Sequence, residues 1–419
     1  MSARPDHTRA PDAPAESVAS ALADASFVRV VCRAEGDALA AGGLLARALR
    51  SAGVPFHVRA GAFAPAAAPP DGDGVLVAVG LDAPGADETL APDDGTTSLR
   101  AHEVASALTP ESEPGPDPVL ALAGVVAAGE HPDAADGSLL SVAEETGAVA
   151  RRPGVAAPVA DLADGLAHTT LAHASFSGNR EAAGAALAEL DLPADLDEAS
   201  RRRLASLVAL DVAGDENATE RAAEAVERAL YPYVTPDAPF ATLGGYADVL
   251  DAVARERPGT GVAVALGHDA RVPALEAWRD HAAAAHRALR GAHLGRYESV
   301  HVVRAPEEVA DHVGRLATVA RLCRDFRSPE PTALVLGDGV AALAAVERGA
   351  AGAASAVFEE FGGVDETQRV SSANQDASRA GGVDGDGGAW AGDARRAVVR
   401  FDADAPEAEI IAAVREALT

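Results

Sequence analysis

Blocks of apolar and polar residues alternate along the first 150 positions and predict strands separated by helices. The short apolar runs FVRVVC, PFHVRA and VLVAVGL have the length of strands, whereas ALAAGGLLARALRSAG, SLRAHEVASAL and VLALAGVVAAG are typical of helices. This alternation favours a parallel sheet covered on both faces, so we predict an α/β domain over residues 25–150. Residues 1–24 begin with a polar, proline-rich stretch and are predicted to be a disordered tail.

The rest of the chain divides into a helical region and a second, smaller α/β unit. Residues 151–295 are predicted to be a helical connector with an inserted α/β segment, in which GVAVALG is a strand and VPALEAWRDHAAAAHRALRGAH a long helix. Residues 296–419 are predicted to form the second unit, with strands SVHVVR, ALVLG and AVVRFDA and helices near 307–323, 339–349 and 407–418. The Gly/Asp-rich tract 371–393 is predicted to be a mobile loop.

Composition adds a strong charge signal. The chain has 64 acidic against 35 basic residues, a net charge of −29, and every basic side chain is arginine. An acidic surface without lysine indicates a high-salt cytoplasm; an ordinary acidic protein is the alternative. Such a charge disfavours general nucleic-acid binding, although local arginine patches can still meet phosphates.

Segments and cysteines narrow the class of protein further. No uninterrupted apolar run of about 18 residues is present and the N-terminus is unlike a signal peptide, so we predict no membrane association and a cytoplasmic location. The two cysteines, Cys32 and Cys323, lie far apart and support neither a zinc knuckle nor a disulfide framework.

The turn after the first predicted strand carries the first candidate chemistry. Arg33, Glu35 and Asp37 alternate in RAEGD, at the sheet edge where open α/β sheets bind ligands. Carboxylates there suit Mn²⁺ or Mg²⁺, but a permanently charged arginine opposes a metal, and two carboxylates are too few for a two-metal site. Three interpretations follow: a solvated polar turn, a partial metal site, or a site in which Arg33 replaces the charge of the cation.

Three further motifs have structural interpretations. His168 and His173 stand five apart, do not share a helix face, and are predicted to be surface or packing histidines. Ser177 or Asn179 is predicted to cap the following helix. The Gly-x-Gly turn within Ala333–Gly349 lacks the further residues of nucleotide-binding motifs and is predicted to be structural.

Arginines recur at every third position in RLCRDFR. Arg321, Arg324 and Arg327 are candidates for contacts with phosphates, and a solvated helix face is the favoured alternative. The sequence alone assembles no Ser/His/Asp set.

Three stretches in order resemble the archaeal branch of the RecJ-type DHH phosphoesterases. They are VVCRAEGDALAAGGLLARAL, SFSGNREAAGAALAEL and FATLGGYADVLDAVARERPGTGVAVALG. The resemblance covers about residues 25–419. It implies an N-terminal DHH domain with a manganese site, a smaller C-terminal DHHA1 domain, and a cleft between them that threads single-stranded nucleic acid.

The family's metal motifs are degenerate in this chain. Its first motif, His-x-Asp-x-Asp, corresponds to Arg33, Glu35 and Asp37, and the aspartate of its second motif to Asp82. The Asp-His-His triplet that names the family has no counterpart in ETLAPDDGTTSLRAHEV, where His102 falls inside the next helix.

Two more family positions have also changed. The aspartate of the fourth motif falls on Ala128, and Ala389 or Trp390 stands where the Gly-Gly-Gly-His substrate loop has its histidine. The resemblance therefore leaves Glu35, Asp37 and Asp82 as residual metal candidates for Mn²⁺ or Mg²⁺, with no bound metal as the favoured expectation. Its nucleic-acid-binding candidates are residues Arg33, Arg321, Arg324 and Trp390.

Three functions follow from this pattern. The favoured hypothesis is a catalytically inactive RecJ-like protein that acts in DNA replication or repair as a scaffold associated with nucleic acid. The family gives the precedent: an inactive RecJ relative belongs to the eukaryotic replicative helicase assembly, and archaeal members associate with GINS. The alternatives are a manganese-dependent 5′–3′ exonuclease or phosphoesterase acting on single-stranded DNA through an altered metal site, and a protein that binds a small ligand or nucleotide.

Overall fold

The computed structural model describes residues 14–64, 73–91, 95–110, 112–134, 137–193, 195–362 and 390–419. Residues 1–13 of the predicted tail and residues 371–389 of the predicted loop lie outside the described residues. Helix α1, Ala15–Asp24, buries Val18, Ala19 and Leu22 in the main core. The prediction of a disordered tail is therefore wrong for residues 15–24, because an amphipathic helix follows the proline-rich stretch.

The first sheet has four strands, all parallel, in the order β2–β1–β3–β4. The strands β1 to β4 are Val28–Arg33, Phe56–Gly61, Val75–Val79 and Glu88–Leu90. Val30 of β1 lies opposite Val58 and Val77 of its neighbours. The predicted α/β fold class with an N-terminal parallel sheet is confirmed.

Helices cover one face of this sheet. Helices α2 to α4 are Gly36–Ala52, Thr97–Leu108 and Pro118–Ala128. They share one core with Val30 and Cys32 of β1, whereas Val31 on the opposite face packs with residues of β3 and with Ala64 and Leu81 from connecting segments. Within the described residues, a small apolar cluster thus covers the second face, and no helix contributes a residue to that cluster.

The middle of the chain is helical, as predicted, with one short antiparallel pair of strands. Helices α5 to α12 are Ser138–Glu145, Leu162–His168, Arg180–Ala188, Glu198–Ala213, Glu220–Glu227, Leu243–Glu256, Pro258–Ala265 and Arg271–Gly291, and strands β5 and β6 are Ala150–Arg151 and Tyr233–Val234. The Asn179 side chain accepts hydrogen bonds from the backbone N–H groups of Glu181 and Ala182 and so caps α7. This confirms the predicted cap at Asn179.

The predicted strand GVAVALG is wrong, because these residues belong mostly to helix α11. Pro258 occupies the first turn of this helix, where its fixed φ and missing N–H are tolerated. Helix α11 packs closely on α2: a Cβ atom added at Gly43 would lie 2.7 Å from both Cβ and O of Ala265. No helix in the described part of the chain is long and apolar enough to span a membrane.

The C-terminal unit is a six-stranded mixed sheet in the order β11–β12–β10–β9–β8–β7. Strands β7 to β12 are His293–Tyr297, Val300–Arg304, Thr332–Leu336, Val340–Ala345, Trp390–Gly392 and Arg396–Arg400. Helix α13, Val313–Phe326, packs on one face, and helices α14, Ala350–Phe361, and α15, Glu407–Ala417, pack on the other. This arrangement confirms the predicted C-terminal α/β fold.

The helix predicted near 339–349 is wrong, since β10 occupies most of it. Strand β10 pairs in antiparallel fashion with both β9 and β12. The preceding Gly-x-Gly forms a hairpin, in which Gly337 N–H donates to the carbonyl of Val340 and Gly339 has φ +66°. The structural interpretation of this turn is correct, but it connects two strands, as glycine-rich hairpin turns do.

Candidate functional site

The turn at the end of β1 places a guanidinium where the resembling family has a metal-ligating histidine. Arg33 is 8% exposed. Its Nη2 lies 2.5 Å from Oε2 of Glu35 and 2.5 Å from Oδ2 of Asp393. Asp393 follows β11, so this contact joins the two α/β units. Of the three interpretations of the turn, the replacement of a cation by Arg33 agrees with this geometry, and the solvated turn is wrong.

Asp37 has a structural task at this site. Its two carboxylate oxygens accept hydrogen bonds from the backbone N–H groups of Thr97 and Ser98, at 2.8 and 2.9 Å. These are orphan donors at the start of α3, which no residue within the helix can satisfy. Burial raises the pKa of Asp37 despite these hydrogen bonds. Both oxygens therefore hold the start of α3 in place.

A second arginine lies at the position of the family's fourth metal motif. Arg396 on β12 donates from Nη1 to the carbonyl of Ala127 at 2.9 Å and from Nη2 to that of Ala128 at 2.6 Å. The neighbouring Arg395 forms an ion pair with Glu130. A guanidinium thus caps the C-terminal end of α4, where cations are favoured by the helix dipole.

Three guanidinium groups and three carboxylates surround the end of β1. We call them the Arg33 cluster; its members are Arg33, Glu35, Asp251, Arg255, Asp393 and Arg396. Asp251 forms an ion pair with Arg255 and accepts a hydrogen bond from Gly36 N–H at 3.1 Å. The formal charges of the cluster sum to zero without a metal ion.

The arginines of the cluster lower the pKa values of two of its carboxylates. Burial alone would raise the pKa of Asp251, but Arg255, Arg396 and Arg321 lower it to about 2. Burial likewise opposes ionisation of Asp393, whose pKa Arg33 and Arg396 lower to about 2. Both carboxylates are therefore ionised near neutral pH and already balanced by arginines.

Within the described residues, the residual metal candidates are not grouped as metal ligands. Among the described residues there is no group of three or more His, Cys, Asp or Glu side chains placed to hold a metal ion, so Glu35, Asp37 and Asp82 are not brought together as one. Glu35 is paired with Arg33, Asp37 caps α3, and Asp82 is exposed after β3. A divalent ion would meet guanidinium groups instead of imidazoles.

Replacing Asp37 separates a structural role from a metal-binding one. We expect Asp37→Ala to lower the free energy of unfolding by about 1–2 kcal/mol, because two N–H groups of α3 lose their acceptor. Asp37→Asn keeps one acceptor oxygen and should lose less. Urea unfolding with and without Mn²⁺ checks this: the same loss in both conditions is expected, and a loss that appears only with Mn²⁺ would contradict the capping role.

The arginines of α13 are buried, not displayed on a solvated face. Arg321 donates to the carbonyl and Oγ1 of Thr170, at 3.0 and 2.5 Å, and Arg324 donates to Asp325 Oδ1 and to the carbonyl of Ala345. Arg327 pairs with Asp215 at 2.7 Å. The solvated-face interpretation is therefore wrong for Arg321 and Arg324, which are 8% and 6% exposed.

The remaining candidates for nucleic-acid binding have mixed surroundings. A phosphate contact by Arg324 would require breaking its interior hydrogen bonds. Trp390, at the start of β11, is half-buried against the core formed with α14 and α15. Ala389, the other residue at the position of the family's histidine, lies outside the described residues. Nucleic-acid binding by this set stays a prediction.

The two histidines at 168 and 173 are packing residues, as predicted. His168 lies edge-on to Trp278, with 5.6 Å between ring centroids, and His173 stacks on His286 at 5.1 Å. His102 lies within α3, as expected.

A further polar network joins three helices, and no sequence motif indicated it. His281 Nδ1 lies 2.8 Å from Oε1 of Glu256, and its Nε2 lies 2.8 Å from Oγ1 of Thr318. This is the order of atoms in a nucleophilic triad, but Thr318 and His281 are each 1% exposed. The network therefore ties α10, α12 and α13 together, and only the three-dimensional fold brings its members within reach.

This chain has relatives of known sequence. The family model "Uncharacterized protein rrnAC1427, C-terminal domain" matches residues 292–416. The uncharacterized protein rrnAC1427 of Haloarcula marismortui is 43% identical over 351 residues, which cover 83% of this chain and 88% of that protein. This chain belongs to the rrnAC1427 family.

Solved structures align with this rrnAC1427-family chain along nearly all of its length. CDC45 from Entamoeba histolytica aligns over 96% of this chain and 98% of its own, with a TM-score of 0.53 and 7% identity. RecJ from Thermus thermophilus in complex with Mg²⁺ aligns over 99% of this chain, with a TM-score of 0.44 and 15% identity, and this chain spans about half, 54%, of its length. The rrnAC1427-family chain has the predicted RecJ-like DHH/DHHA1 fold.

Proposed function

We propose that this protein is a catalytically inactive RecJ-like protein that serves as a scaffold in DNA replication or repair. The observation that carries the proposal is the position of Arg33, which fills the end of β1 and is balanced by Glu35 and Asp393. Two-metal hydrolysis needs open coordination positions for substrate and water. Arginine offers none, because it cannot act as a ligand.

The fold supports the same proposal from a second direction. The chain aligns with CDC45 over nearly the full length of both proteins. The resembling family includes an inactive member of the eukaryotic replicative helicase assembly and archaeal members that associate with GINS, so we propose GINS or components of a replicative helicase as the partners. Single-stranded nucleic acid is the proposed associated ligand, with arginine side chains meeting its phosphates.

A nuclease assay tests the inactive state. The wild-type chain and the Glu35→Ala/Asp37→Ala variant are incubated with Mn²⁺ and single-stranded DNA labelled at its 5′ end, in multimolar KCl. We expect no cleavage by either protein, because the carboxylates are engaged within the chain. Cleavage by the wild type that is lost in the folded double variant would establish a reduced metal site and refute the proposal.

Binding of this chain to the proposed partner proteins tests the scaffold role. Purified GINS and helicase subunits from the same organism are mixed with this chain, with and without a chelator, and complexes are measured by sedimentation velocity. We expect binding that does not depend on metal. Absence of binding to any of these subunits and to single-stranded DNA would contradict the scaffold role while leaving catalytic inactivity untouched.

A further inference from the structure

A short turn of the C-terminal sheet reaches the N-terminal unit. It comprises residues 393–396, and we call it the β11–β12 turn. Asp393 of this turn lies 2.5 Å from Arg33 at the end of β1. Arg395 forms an ion pair with Glu130, which follows α4. The turn supplies the anion of the first ion pair and the cation of the second, so both signs of charge hold it on the N-terminal unit.

Strand β12 adds two contacts with the same unit. Its first residue, Arg396, donates to the carbonyls at the C-terminal end of α4. At its other end, the guanidinium carbon of Arg400 lies 4.7 Å from the ring centroid of Phe63, which follows β2. The contacts of the turn and of β12 therefore cover the ends of β1 and β2. This is the edge at which open α/β sheets bind ligands.

Little space is left between the two units beside these contacts. A cavity of about 80 Å³ lies between the end of β1, α13 and β12, and its walls include Arg33, Ala34, Arg255, Gly314 and Val398. Sites for small organic ligands begin at roughly 300 Å³. A Cβ atom added at Gly314 would lie 2.7 Å from Cβ of Arg255, so α13 packs closely on α10 there. The cleft at this edge is therefore too small for a nucleotide.

The ion pairs of the turn are of a kind that a phosphate group can replace. Arg33 is paired with Glu35 and Asp393, and Arg395 is paired with Glu130. Phosphate oxygens accept charge-assisted hydrogen bonds from guanidinium groups as carboxylate oxygens do. Separation of the turn from the N-terminal unit would make Arg395 available to a phosphate backbone and would leave Arg33 with Glu35 alone. The closed cleft and a bound single strand therefore compete for the same guanidinium groups.

We propose that the β11–β12 turn is an autoinhibitory contact, which keeps the cleft between the two α/β units closed and excludes single-stranded nucleic acid until the turn separates from Arg33 and Glu130. This regulation rests on the nucleic-acid association proposed above. Because only open molecules admit the strand, the apparent affinity is reduced by the fraction of molecules that are open. A change that weakens the contacts of the turn should therefore raise the affinity for single-stranded DNA.

The variant Asp393→Asn/Glu130→Gln removes both carboxylates and keeps every arginine. Asparagine retains the acceptor oxygen for the N–H groups of Arg395 and Arg396, so the turn itself should keep its conformation. We expect this variant to bind fluorescein-labelled oligothymidylate of about 20 nucleotides at least about tenfold more tightly than the wild type does. Fluorescence anisotropy measures the affinity at one KCl concentration, at which circular dichroism shows each protein to be folded.

The matched control removes the same charge elsewhere in the C-terminal unit. Asp404→Asn/Glu409→Gln changes two exposed carboxylates outside the β11–β12 turn. Loss of negative charge alone strengthens binding to DNA, and we expect this general effect to stay below about twofold. Adding Arg395→Gln to the Asp393→Asn/Glu130→Gln variant should reverse part of its gain, because one guanidinium group for phosphate is lost.

A distance measurement tests opening separately from affinity. Both native cysteines are buried, so spin labels can be attached at the exposed positions Ser51→Cys in the N-terminal unit and Glu360→Cys in the C-terminal unit. Pulsed electron paramagnetic resonance then measures the distance between the labels. We expect a single distance in the otherwise wild-type chain and additional longer distances when Asp393→Asn/Glu130→Gln is present.

The outcomes separate this regulation from the proposed function. Equal, measurable affinity of the wild type and the turn variant for the oligonucleotide, or a gain that the control matches, would overturn the autoinhibitory contact and leave nucleic-acid association standing. Unchanged distances between the labels in the turn variant would overturn the contact as well. Longer distances without binding of the oligonucleotide would refute single-stranded DNA as the ligand in the proposed function and this regulation with it.

Discussion

Replacement of Asp325 by asparagine is expected to lower the free energy of unfolding by about 3–5 kcal/mol. Asp325 is 4% exposed and is the carboxylate shared by Arg228, Arg324 and Arg321. Burial would raise its pKa, but these arginines hold the pKa far below its usual range. Asparagine leaves the guanidinium groups in the interior without a counter-charge, which is the costly way to break a buried ion pair.

Urea unfolding in multimolar KCl measures this loss. The matched control is Asp338→Asn, which removes the same charge from an exposed hairpin position and should change the free energy of unfolding by less than about 0.5 kcal/mol. Adding Arg324→Met to Asp325→Asn should recover part of the loss, because one uncompensated cation is removed. A loss below about 1 kcal/mol for Asp325→Asn alone would show that water reaches and solvates these arginines.

The sequence predicted the architecture around β1 well, because the signals there are local. A short apolar strand, a polar turn and an alanine-rich helix occur in order, and the structure forms β1 and α2 from them. The cap at Asn179 is equally local, since the acceptor and its donors lie within three residues. Such features depend on spacing along the chain, which the sequence shows directly.

Two segments were predicted with the wrong secondary structure for the same physical reason. GVAVALG and VAALAA are short apolar runs rich in alanine and valine, whose periodicity does not distinguish a strand from a buried helix. Tertiary contacts decide: the first packs against α2 as α11, and the second pairs with β9 and β12 as β10. Alanine favours a helix in isolation, but a central strand buried on both faces accepts it.

The site was accessible from the sequence only in part. The alternation of Arg33, Glu35 and Asp37 left three interpretations open, and only the replacement of a cation by Arg33 agrees with the structure. The partner that completes it, Asp393, lies 360 residues away, and no spacing rule connects the two. The burial of Arg321 and Arg324 was likewise hidden, because an arginine repeat on a helix is the same in sequence whether it faces water or the interior.

A second large loss of folding stability is expected when the pH is lowered. His286 is 0% exposed, and burial lowers its pKa to about 3, with Arg290, Arg321 and His168 acting in the same direction. Burial, His286, Arg327 and Arg290 lower the pKa of its neighbour His173 as well. Both imidazoles are therefore neutral in the folded chain at pH 7.

The hydrogen bonds define one arrangement of protons for this pair. His286 Nε2–H donates to the carbonyl of Thr169 at 3.0 Å, so His286 Nδ1 is an acceptor. His173 Nδ1–H donates to that atom at 2.9 Å. His173 Nε2 then carries a lone pair in the interior, in agreement with its having no hydrogen-bond partner in the described structure. A proton added to His286 would have to break the bond between the rings.

The sign of the pH effect follows from these neutral states. The unfolded chain binds a proton at His286 below pH about 6.5, whereas the folded chain does not until about pH 3. Unfolding is therefore favoured progressively as the pH falls through this interval. At 1.36 kcal/mol per pKa unit, His286 accounts for about 3 kcal/mol of lost stability between pH 7 and pH 4. Salt should not cancel the loss, because burial is its largest cause.

The variant His286→Gln isolates this contribution. Glutamine keeps a donor for Thr169 and does not titrate, so the difference in unfolding free energy between pH 7 and pH 4 should shrink by about 3 kcal/mol relative to the wild type. His57→Gln, at an exposed position of β2, is the matched control and should leave the difference unchanged within about 0.5 kcal/mol. If His286→Gln loses as much stability on acidification as the wild type does, carboxylates such as Asp251 and Asp393 carry the acid sensitivity instead, since their lowered pKa values act in the same direction.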